Sequence, residues 1–285
     1  MTVEGGRARI ELLSCFFPAF NEEENIAAVL DEALATLPRF AADFEVIVVD
    51  DGSSDRTAEV VAAYSARRAD RLGGTPEASA GRLGGTPGAS AGRLGGTPGA
   101  NERVRLVSHE VNRGYGEALR SGLAAATGDA VFFTDADRQF RLDDIERLLE
   151  HYDESSFVVG YRQKRNDPWH RLVVARVYHA VLKAVFGLQL RDVDCAFKLF
   201  SRDVLDRIRP DLTSRSAFIS PELLIRAQMT GVRVTEVGVP HYPRAAGRPK
   251  GATPKVIART IKEIFVMRRR LGPLSGRSRA GSRSS

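Results

Sequence analysis

The sequence predicts an α/β fold: one mainly parallel sheet with helices on both faces. Short apolar runs of strand length alternate with segments of helical periodicity along the 285 residues, and several of these runs lead into polar residues. Alternating strands and helices of this size imply right-handed crossovers, so the loops after the strands should share one edge of the sheet. With 43% hydrophobic residues, the chain can bury one substantial core without a second fold.

The first strand and helix are predicted within the first 36 residues. Residues 10–17 form an apolar run typical of a buried strand, and Pro18 is expected to end its ladder pairing. Asn21 and the three glutamates after it suit a helix N-terminus. The helix is indicated by apolar residues at helical spacing, namely Ile26, Val29, Leu30, Ala33 and Leu34.

Two further strands lead into polar loops. The apolar residues 44–49 run into the acidic residue Asp50, and Gly52 permits a tight turn there. A helix beginning near Thr57 has three candidate caps: Ser53, Ser54 and Asp55. A third strand at 104–108 precedes the loop 112–116, whose glycines allow a ligand to approach the backbone.

A fourth strand carries the strongest chemical signal. The apolar residues 130–133 are followed by Asp135, Asp137 and Gln139, and residues two apart on an extended chain point the same way. All three could therefore present oxygen to one hard divalent cation, Mg²⁺ or Mn²⁺, which a nucleotide diphosphate would also bind. Taken alone, the motif also fits a solvated acidic strand end.

These segments, in this order and spacing, resemble the family 2 glycosyltransferases of the GT-A fold, and among them the synthases that load a sugar onto dolichyl or other polyprenyl phosphates. Each segment alone is a weak signal, but their collinearity over roughly residues 10 to 265, with one interruption, is strong. The matching segments are residues 17–22, 49–53, 112–116, 135–139, 159–162, 192–198 and 244–250.

The resemblance implies a Rossmann-like GT-A sheet and a role for each matching residue. Nucleotide-sugar binding is implied for Pro18, Ala19, Phe20, Glu22, Asp50, Gly114 and Ala136, and metal and diphosphate binding for Asp135, Asp137 and Gln139. Acceptor or phosphate binding is implied for Arg162, Arg171, Lys198, Arg244 and Lys250. The catalytic residues would be Asp135, Asp137, Arg162 and Asp192. The chain departs from the family pattern at Ala196, Lys198 and Pro249, which leaves the shape and substrate of the acceptor loop open.

The expected reaction is an inverting, single-displacement transfer from a UDP- or GDP-linked sugar. A lipid monophosphate acceptor needs no strong base, because its second pKa of about 6 leaves it largely dianionic near neutrality. A hydroxyl acceptor, the alternative, would require a carboxylate base, for which Asp192 and Asp194 are the first candidates, followed by Glu222. A third alternative is a non-enzymatic protein that binds nucleotide sugars or scaffolds a membrane, which the acidic set disfavours.

Other features bear on location. The two cysteines, Cys15 and Cys195, make no disulfide framework and suit buried thiols in a reducing cytosol, and no zinc-ligand spacing is present. Residues 1–9 contain no secretory signal, and no apolar run is long enough to span a bilayer, so we expect a cytoplasmic protein, peripheral on the inner face of the membrane. A separate membrane partner would replace the transmembrane helices that relatives often carry.

Residues 70–101 are expected to be a disordered insert. The hexapeptide Arg-Leu-Gly-Gly-Thr-Pro begins at Arg71, Arg82 and Arg93, a period of 11 residues. Glycine, proline, serine, threonine and alanine dominate, with too little apolar surface to offset the entropy of ordering. A function for the repeat is not expected.

Positive charge is concentrated at the C-terminus. Residues 244–285 hold twelve Lys/Arg and one acid, a net charge of +11 within a chain of +6, so the preceding residues carry −5. No nucleic-acid-binding motif accompanies this charge, so an anionic membrane surface is the expected partner. The predicted helix 255–271 places Ile257, Ile261, Ile264 and Phe265 on one face, and a second amphipathic helix is predicted at 169–186. Either helix could lie on the membrane or could instead cover the sheet. The predicted regions are 1–243 (catalytic domain), 244–271 (acceptor loop and helix) and 272–285 (disordered tail).

Overall fold

The computed structural model describes residues 3–4, 7–8, 10–71, 103–163, 169–246 and 254–271. Side chains are not described at 3–4, 7–8, 65–71, 169–174 and 254–259. The predicted insert beyond Arg71, the predicted tail and Lys250 therefore lie outside the described residues.

The elements alternate as the sequence predicts. The strands are β1 (Val3–Glu4), β2 (Arg7–Ala8), β3 (Ile10–Ala19), β4 (Ala41–Asp50), β5 (Val104–Ser108), β6 (Ala130–Thr134), β7 (Phe157–Arg162), β8 (Phe197–Ser201) and β9 (Val234–Val239). The helices are α1 (Ile26–Thr36), α2 (Thr57–Arg71), α3 (Tyr115–Ala125), α4 (Ile145–Leu149), α5 (Trp169–Phe186), α6 (Arg202–Ile208), α7 (Ile219–Met229) and α8 (Pro254–Leu271). Short 3₁₀ turns lie at Leu37–Arg39, Leu142–Asp144 and Arg209–Asp211.

One seven-stranded sheet organises the molecule, in the order β5-β4-β3-β6-β8-β7-β9. Every neighbouring pair is parallel except those made by β8, which is antiparallel to both β6 and β7. The carboxyl ends of the other six strands and the amino end of β8 therefore share one edge. The expected mainly parallel sheet is confirmed.

Pro18 does not end the pairing of β3. The parallel register with β4 continues through Pro18↔Val49 to Ala19↔Asp50, two residues beyond the predicted end. Pairing with β6 on the other side has already stopped at Phe16↔Phe133, so at Pro18 only one neighbour remains. A proline is tolerated where the strand is an edge in this local sense, and the longer strand brings Ala19 level with Asp50.

The hydrophobic core lies on both faces of the sheet, as predicted. Successive residues of β3 alternate between the two sides, with Phe16 in one apolar cluster and Cys15 and Phe17 in the other. The first cluster contains residues of α3 and α5 to α8, and the second contains residues of α1, α2 and α4. Phe16 stacks on Phe133 with ring centroids 5.2 Å apart. Each fully buried phenylalanine contributes about 1.5–3 kcal/mol by leaving water.

Helix α8 packs on the body of the protein. The apolar residues that were predicted to form one face of this helix are therefore split between a buried side and an exposed side. Ile264 and Met267 are buried in the core at 6% and 4% exposure, and the hydroxyl of Ser216 donates to the carboxylate of Glu263. Ile261 and Phe265 instead face outward, at 49% and 67% exposure. The same helix thus has a face on the core and an exposed apolar face. Among the described helices, none is both long and apolar enough to cross a bilayer.

Candidate active site at one edge of the sheet

Loops from the whole width of the sheet meet at the shared edge. The turns after β3, β4 and β5 lie on one side, and the acidic loop 135–139 follows β6 in the middle. On the other side are the end of β7, the segment 192–196 that enters β8, and the segment 240–246 that leaves β9. This edge brings together the segments that the sequence singled out, as ligand sites in open α/β sheets require.

The turns after β3 and β4 are joined by hydrogen bonds. The hydroxyl of Ser53 donates to the Asp50 carboxylate and accepts from the Asn21 N–H at 2.8 Å. The Glu22 N–H donates to the Thr57 hydroxyl at 2.8 Å, at the first residue of α2. Asn21 adopts φ 52°, a conformation that asparagine tolerates better than most residues. Asp50 and Glu22, at 4% and 8% exposure, are thereby held in fixed positions at the edge.

The residues expected to bind the nucleotide sugar lie around these turns. Pro18 and Ala19 are buried at the end of β3, Phe20 and Gly114 are half-buried, and Ala136 is buried within the acidic loop. The structure thus places them on the same edge as Asp50 and the acidic pair. Their binding role stays a prediction.

Asp51 is a site residue to which sequence reasoning gave no role. Its carboxylate accepts the N–H groups of Arg113 and Gly114 at 2.9 and 2.8 Å, and it contacts the His109 ring at 2.7 Å. The other ring nitrogen of His109 lies 2.9 Å from the Ser121 hydroxyl. One buried carboxylate therefore fixes the glycine loop after β5. The signal that could have indicated this role is that Asp51 directly follows Asp50 at the end of a strand. A second carboxylate there can accept backbone N–H groups of the neighbouring glycine loop.

Gly52 and Gly114 are required by backbone geometry. Gly52 has φ 68°, and a Cβ there would collide with the backbone of Val111 and Asn112. Gly114 has φ 96° at the N-terminus of α3. Both conformations are accessible chiefly to glycine, so the two loops can approach closely.

The acidic loop holds two carboxylates in a buried, mutually repulsive arrangement. Burial first, and then the charge of Asp137, raise the pKa of Asp135 to about 7, against the opposing effect of a 3.0 Å hydrogen bond from the Tyr115 hydroxyl. Burial also raises the pKa of Asp137, while the charge of Arg244 acts to lower it. Two such carboxylates are the donor set that a hard divalent cation requires.

Gln139 is placed differently from the expectation. The chain turns at Arg138, with φ 60°, so the loop is not extended and the two-residue alternation does not continue past Asp137. The Gln139 amide nitrogen donates to the Tyr242 carbonyl at 3.4 Å, and its backbone N–H donates to Asp137 at 3.1 Å. In the described part of the chain, no group of three or more His, Cys, Asp or Glu side chains is arranged around a metal position. Asp135 and Asp137 fit a metal whose remaining ligands come from a substrate.

Arg244 contacts the acidic loop from the segment after β9. Its guanidinium lies 2.6 Å from the Asp137 carboxylate and 3.1 Å from that of Glu22. The structure therefore brings Arg244 to the acidic loop, and its predicted role, binding either the lipid phosphate or the leaving diphosphate, stays a prediction.

Arg162 and Asp192 form a two-pronged ion pair. Arg162 Nε and Nη2 lie 2.6 and 2.8 Å from the two carboxylate oxygens of Asp192, which is 4% exposed. This fork geometry fixes the guanidinium at the end of β7. The two residues come from segments thirty positions apart in sequence, and both were predicted site residues.

Lys198 has a different position from the one expected of an acceptor-binding residue. Its side chain is fully buried, and its ammonium donates to the Val193 and Cys195 carbonyls and, at 2.8 Å, to the Ser220 hydroxyl. Burial lowers its pKa. A cation enclosed by three acceptors holds the segment before β8 and does not reach a phosphate, so the acceptor-binding assignment of Lys198 is corrected.

Three other predicted residues are placed as follows. Glu222 is fully buried and accepts the N–H groups of Thr213 and Ser214, so it braces a loop. Arg171 lies in α5, where only the backbone is described. Asp194 is exposed, on the same segment as Asp192.

Comparison with known proteins agrees with this geometry. The model of the family described as glycosyl transferase family 2 matches residues 14–73 and 97–209, and the gap between the two falls within the repeat. The chain is 28% identical over 251 residues to undecaprenyl-phosphate 4-deoxy-4-formamido-L-arabinose transferase of Edwardsiella ictaluri, covering 87% of this chain and 65% of that protein. It is 28% identical over 239 residues to dolichyl-phosphate beta-glucosyltransferase ALG5C of Trichomonas vaginalis, covering 78% and 61%. The chain thus spans less than two thirds of these relatives.

A solved structure shares the fold. Glucosyl-3-phosphoglycerate synthase from Mycobacterium tuberculosis, in complex with Mn²⁺, UDP and glucosyl-3-phosphoglycerate, superposes with a TM-score of 0.59 at 21% identity, covering 90% of this chain and 80% of that one. This likeness concerns the fold, and the expected GT-A fold is confirmed. The family match covers more than half of the chain, and the chain therefore belongs to glycosyl transferase family 2.

Proposed function

We propose that this chain transfers a sugar, with inversion, from a nucleotide diphosphate sugar to a polyprenyl phosphate at a membrane surface. The observation that carries the proposal is the meeting of an acidic pair, Asp135 and Asp137, with the arginine Arg244 at one sheet edge. Two relatives act on undecaprenyl or dolichyl phosphate, according to their names. Their similarity to this chain supports the same acceptor class.

The donor is a UDP- or GDP-linked sugar. Glu22 and Asp50 stand on the joined turns after β3 and β4, where they can accept hydrogen bonds from the nucleoside. The structurally similar synthase binds UDP, which supports a nucleotide at this edge.

Asp135 and Asp137 would hold Mg²⁺ or Mn²⁺, either of which neutralises charge on the leaving diphosphate when bound. Burial raises the pKa of both carboxylates, and the charge of Asp137 raises that of Asp135 further, so a cation bound between them would favour their ionised forms. The two ligands also leave room for diphosphate oxygens to complete the coordination.

The acceptor phosphate needs orientation more than a base. In the reaction, a phosphate oxygen bonds to the anomeric carbon as the bond from that carbon to the diphosphate breaks. Among the candidate bases, Asp192 pairs with Arg162, and Glu222 accepts hydrogen bonds from the backbone that it braces. An acceptor that is already dianionic fits this arrangement.

One observation favours the second candidate, a family 2 transferase that acts on a hydroxyl. Asp194 is exposed beside Asp192 and could serve as its base. Asp194→Asn should lower transfer to a hydroxyl by about 10²- to 10⁴-fold, the usual range for a lost general base. Transfer to a polyprenyl phosphate should fall by less than about tenfold, as no proton has to be removed from the nucleophile. Asp153→Asn, another exposed aspartate, serves as the control.

The membrane-facing surface is proposed to include the outer face of α8. Ile261 and Phe265 are exposed there, and Arg268, Arg269 and Arg270 follow on the last turn. Exposed apolar side chains next to arginines suit the interface of an anionic bilayer. We place the protein on the cytoplasmic face of the membrane, where nucleotide sugars are present, with a separate membrane protein as a further partner.

The test is a transfer assay with radiolabelled UDP- and GDP-sugars and total membrane lipids. The proposal expects label in the organic phase with one donor class, and none with Asp137→Asn. Label that stays in the aqueous phase on a soluble acceptor would overturn the lipid assignment, and the absence of any transfer or hydrolysis would favour a binding protein.

A further inference from the structure

Arg244 bridges two carboxylates that belong to different halves of the donor site. Glu22 lies on the turn after β3, at the nucleotide side, and Asp137 lies on the acidic loop. The guanidinium is 21% exposed, and the side chains of Glu22 and Asp137 are 9% and 6% exposed. A cation therefore already stands beside Asp137, in a largely desolvated position where charged contacts are strong.

The backbone around Arg244 is fastened to the same two loops. The Tyr242 N–H donates to the Gln139 carbonyl at 2.9 Å, and the Gln139 amide returns a bond to the Tyr242 carbonyl at 3.4 Å. On the nucleotide side, the Asn25 amide donates to the Ala246 carbonyl at 3.4 Å. These bonds hold the segment 242–246 across the donor site and aim the arginine between the two carboxylates.

The contact of Arg244 with Asp137 conflicts with metal binding. Asp137 Oδ2 accepts a charged hydrogen bond from Arg244 at 2.6 Å, and Asp137 Oδ1 accepts the Gln139 N–H at 3.1 Å, so a cation has to compete with both donors for this carboxylate. A guanidinium and a divalent cation sharing one carboxylate would also repel each other.

We propose that Arg244 is a two-position residue, which opposes a divalent cation at Asp137 while the two side chains are paired and moves off this carboxylate when the cation binds. This inference deepens the proposed function and rests on its metal site. The ion pair between Arg244 and Asp137 then opposes the binding of a metal in the absence of nucleotide. Because Arg244 belongs to the segment 242–246, the position of this segment then depends on whether the donor site is filled. The arginine that leaves Asp137 is a fork suited to phosphate.

The test measures Mn²⁺ binding to the full chain without nucleotide, by electron paramagnetic resonance of the free ion. Arg244→Gln should bind Mn²⁺ about tenfold more tightly than the wild type, because a charged hydrogen bond that competes for the ligand is gone. Arg244→Lys, which keeps the charge but cannot bridge two carboxylates, should fall between the two. Arg141→Gln removes an exposed arginine just beyond the acidic loop and should change the affinity by less than about twofold.

Asp137→Asn separates this inference from the proposed metal site. If Asp137→Asn binds Mn²⁺ as the wild type does, the metal site itself is misplaced, and the proposed function loses its donor geometry. If Asp137→Asn abolishes binding while Arg244→Gln and Arg244→Lys bind no more tightly than the wild type, the metal site stands and the two-position role of Arg244 is overturned. Thermal melting of each variant verifies that it is folded.

Discussion

At the scale of single residues, the acids of this edge differ by the partner that each one has. Asp51 accepts hydrogen bonds from backbone N–H groups, and Asp135 accepts one from a tyrosine hydroxyl. Asp137 and Asp192 each form an ion pair with an arginine of another segment. The same side chain thus organises a loop, offers charge to a cation or anchors a guanidinium. Its surroundings decide which.

The first prediction concerns the repulsion within the acidic pair. Burial first, and then the charge of Asp137, raise the pKa of Asp135 to about 7, so its ionised form disfavours the folded state. The penalty is absent below the unfolded pKa of about 4 and grows until the pH passes about 7. Asp135→Asn should therefore leave the metal-free protein at least as stable as the wild type at pH 8, while abolishing transfer.

Thermal melting at pH 4.5 and pH 8 without metal checks this prediction, with the expected gain in stability larger at pH 8. A clear loss of stability at pH 8 would show that Asp135 is a structural carboxylate. Sugar transfer by Asp135→Asn at the wild-type rate in the presence of a chelator would show that Asp135 has no part in the reaction.

The second prediction concerns Lys198. Lys198→Met keeps the length of the side chain but leaves the Cys195 carbonyl without the ammonium that donates to it, while the Val193 carbonyl still accepts from the Ser220 hydroxyl. Each unsatisfied buried group costs about 1–3 kcal/mol, and relief from burying a charge offsets part of that sum. We expect a net loss of about 1–3 kcal/mol in the free energy of unfolding, measured in urea.

A matched variant, Lys183→Met, removes an exposed lysine from α5 and should be neutral within about 0.5 kcal/mol. Equal stability of Lys198→Met and wild type would mean that the buried ammonium is not what holds the segment 192–196.

At the scale of elements, the antiparallel direction of β8 determines which residues reach the edge beside β7. Because β8 runs against its neighbours, the residues that precede it reach the same edge as those that follow the parallel strands. This reversal brings Asp192 to Arg162 at the end of β7. Helix α8 buries Ile264 and Met267 in the first core cluster, and Glu263 of this helix accepts from Ser216.

The third prediction separates the two faces of α8. Ile261→Asp combined with Phe265→Asp should leave thermal stability nearly unchanged, because both side chains are substantially exposed, but should weaken sedimentation with anionic vesicles at low salt. The same variant should slow transfer to a long-chain polyprenyl phosphate and spare transfer to a short, water-soluble analogue.

Met229→Asp is a suitable control, since Met229 is 50% exposed at the end of α7. Equal losses on both acceptors would mean that the outer face of α8 supports the catalytic domain. Unchanged vesicle binding would exclude that face from the membrane contact.

At the scale of the whole molecule, all segments assigned to the proposed reaction lie at one edge of the sheet, and the repeat occupies a separate stretch of the sequence, between α2 and β5. The family model also passes over residues 74–96. The match to the family therefore does not depend on residues 74–96 of the repeat.

The fourth prediction tests whether the repeat contributes to folding or turnover. Deleting residues 72–93, two periods of 11, joins Arg71 to Leu94 and leaves one copy of the hexapeptide. The entropy of closing a loop changes slowly with its length, by about 0.6 kcal/mol per doubling, so the melting temperature and the transfer rate should change little. A loss of either beyond that scale would assign the repeat a structural or functional part.

The sequence by itself determined four neighbouring strands of the sheet, several helices and the segments that follow these strands at the edge. Apolar runs of strand length, followed by acids and glycines, located β3 to β6 and their loops, because strand burial and turn chemistry are written in neighbouring residues. The predicted fold and the helix boundaries of α5 and α8 followed from the same local signals.

Only the tertiary structure decided which of these residues meet. Lys198 and Arg244 are both cations in the second half of the sequence. The Lys198 ammonium is enclosed by two carbonyls and a hydroxyl. Arg244 instead contacts Glu22 and Asp137, which lie 222 and 107 positions away in the sequence. Likewise, the apolar residues of α8 share a helical pattern, and this pattern did not show that Ile264 would be buried while Ile261 and Phe265 stay exposed. The burial and the pairing of a side chain depend on contacts with segments that are distant in sequence. The periodicity of one segment carries no information about which distant segment it will contact.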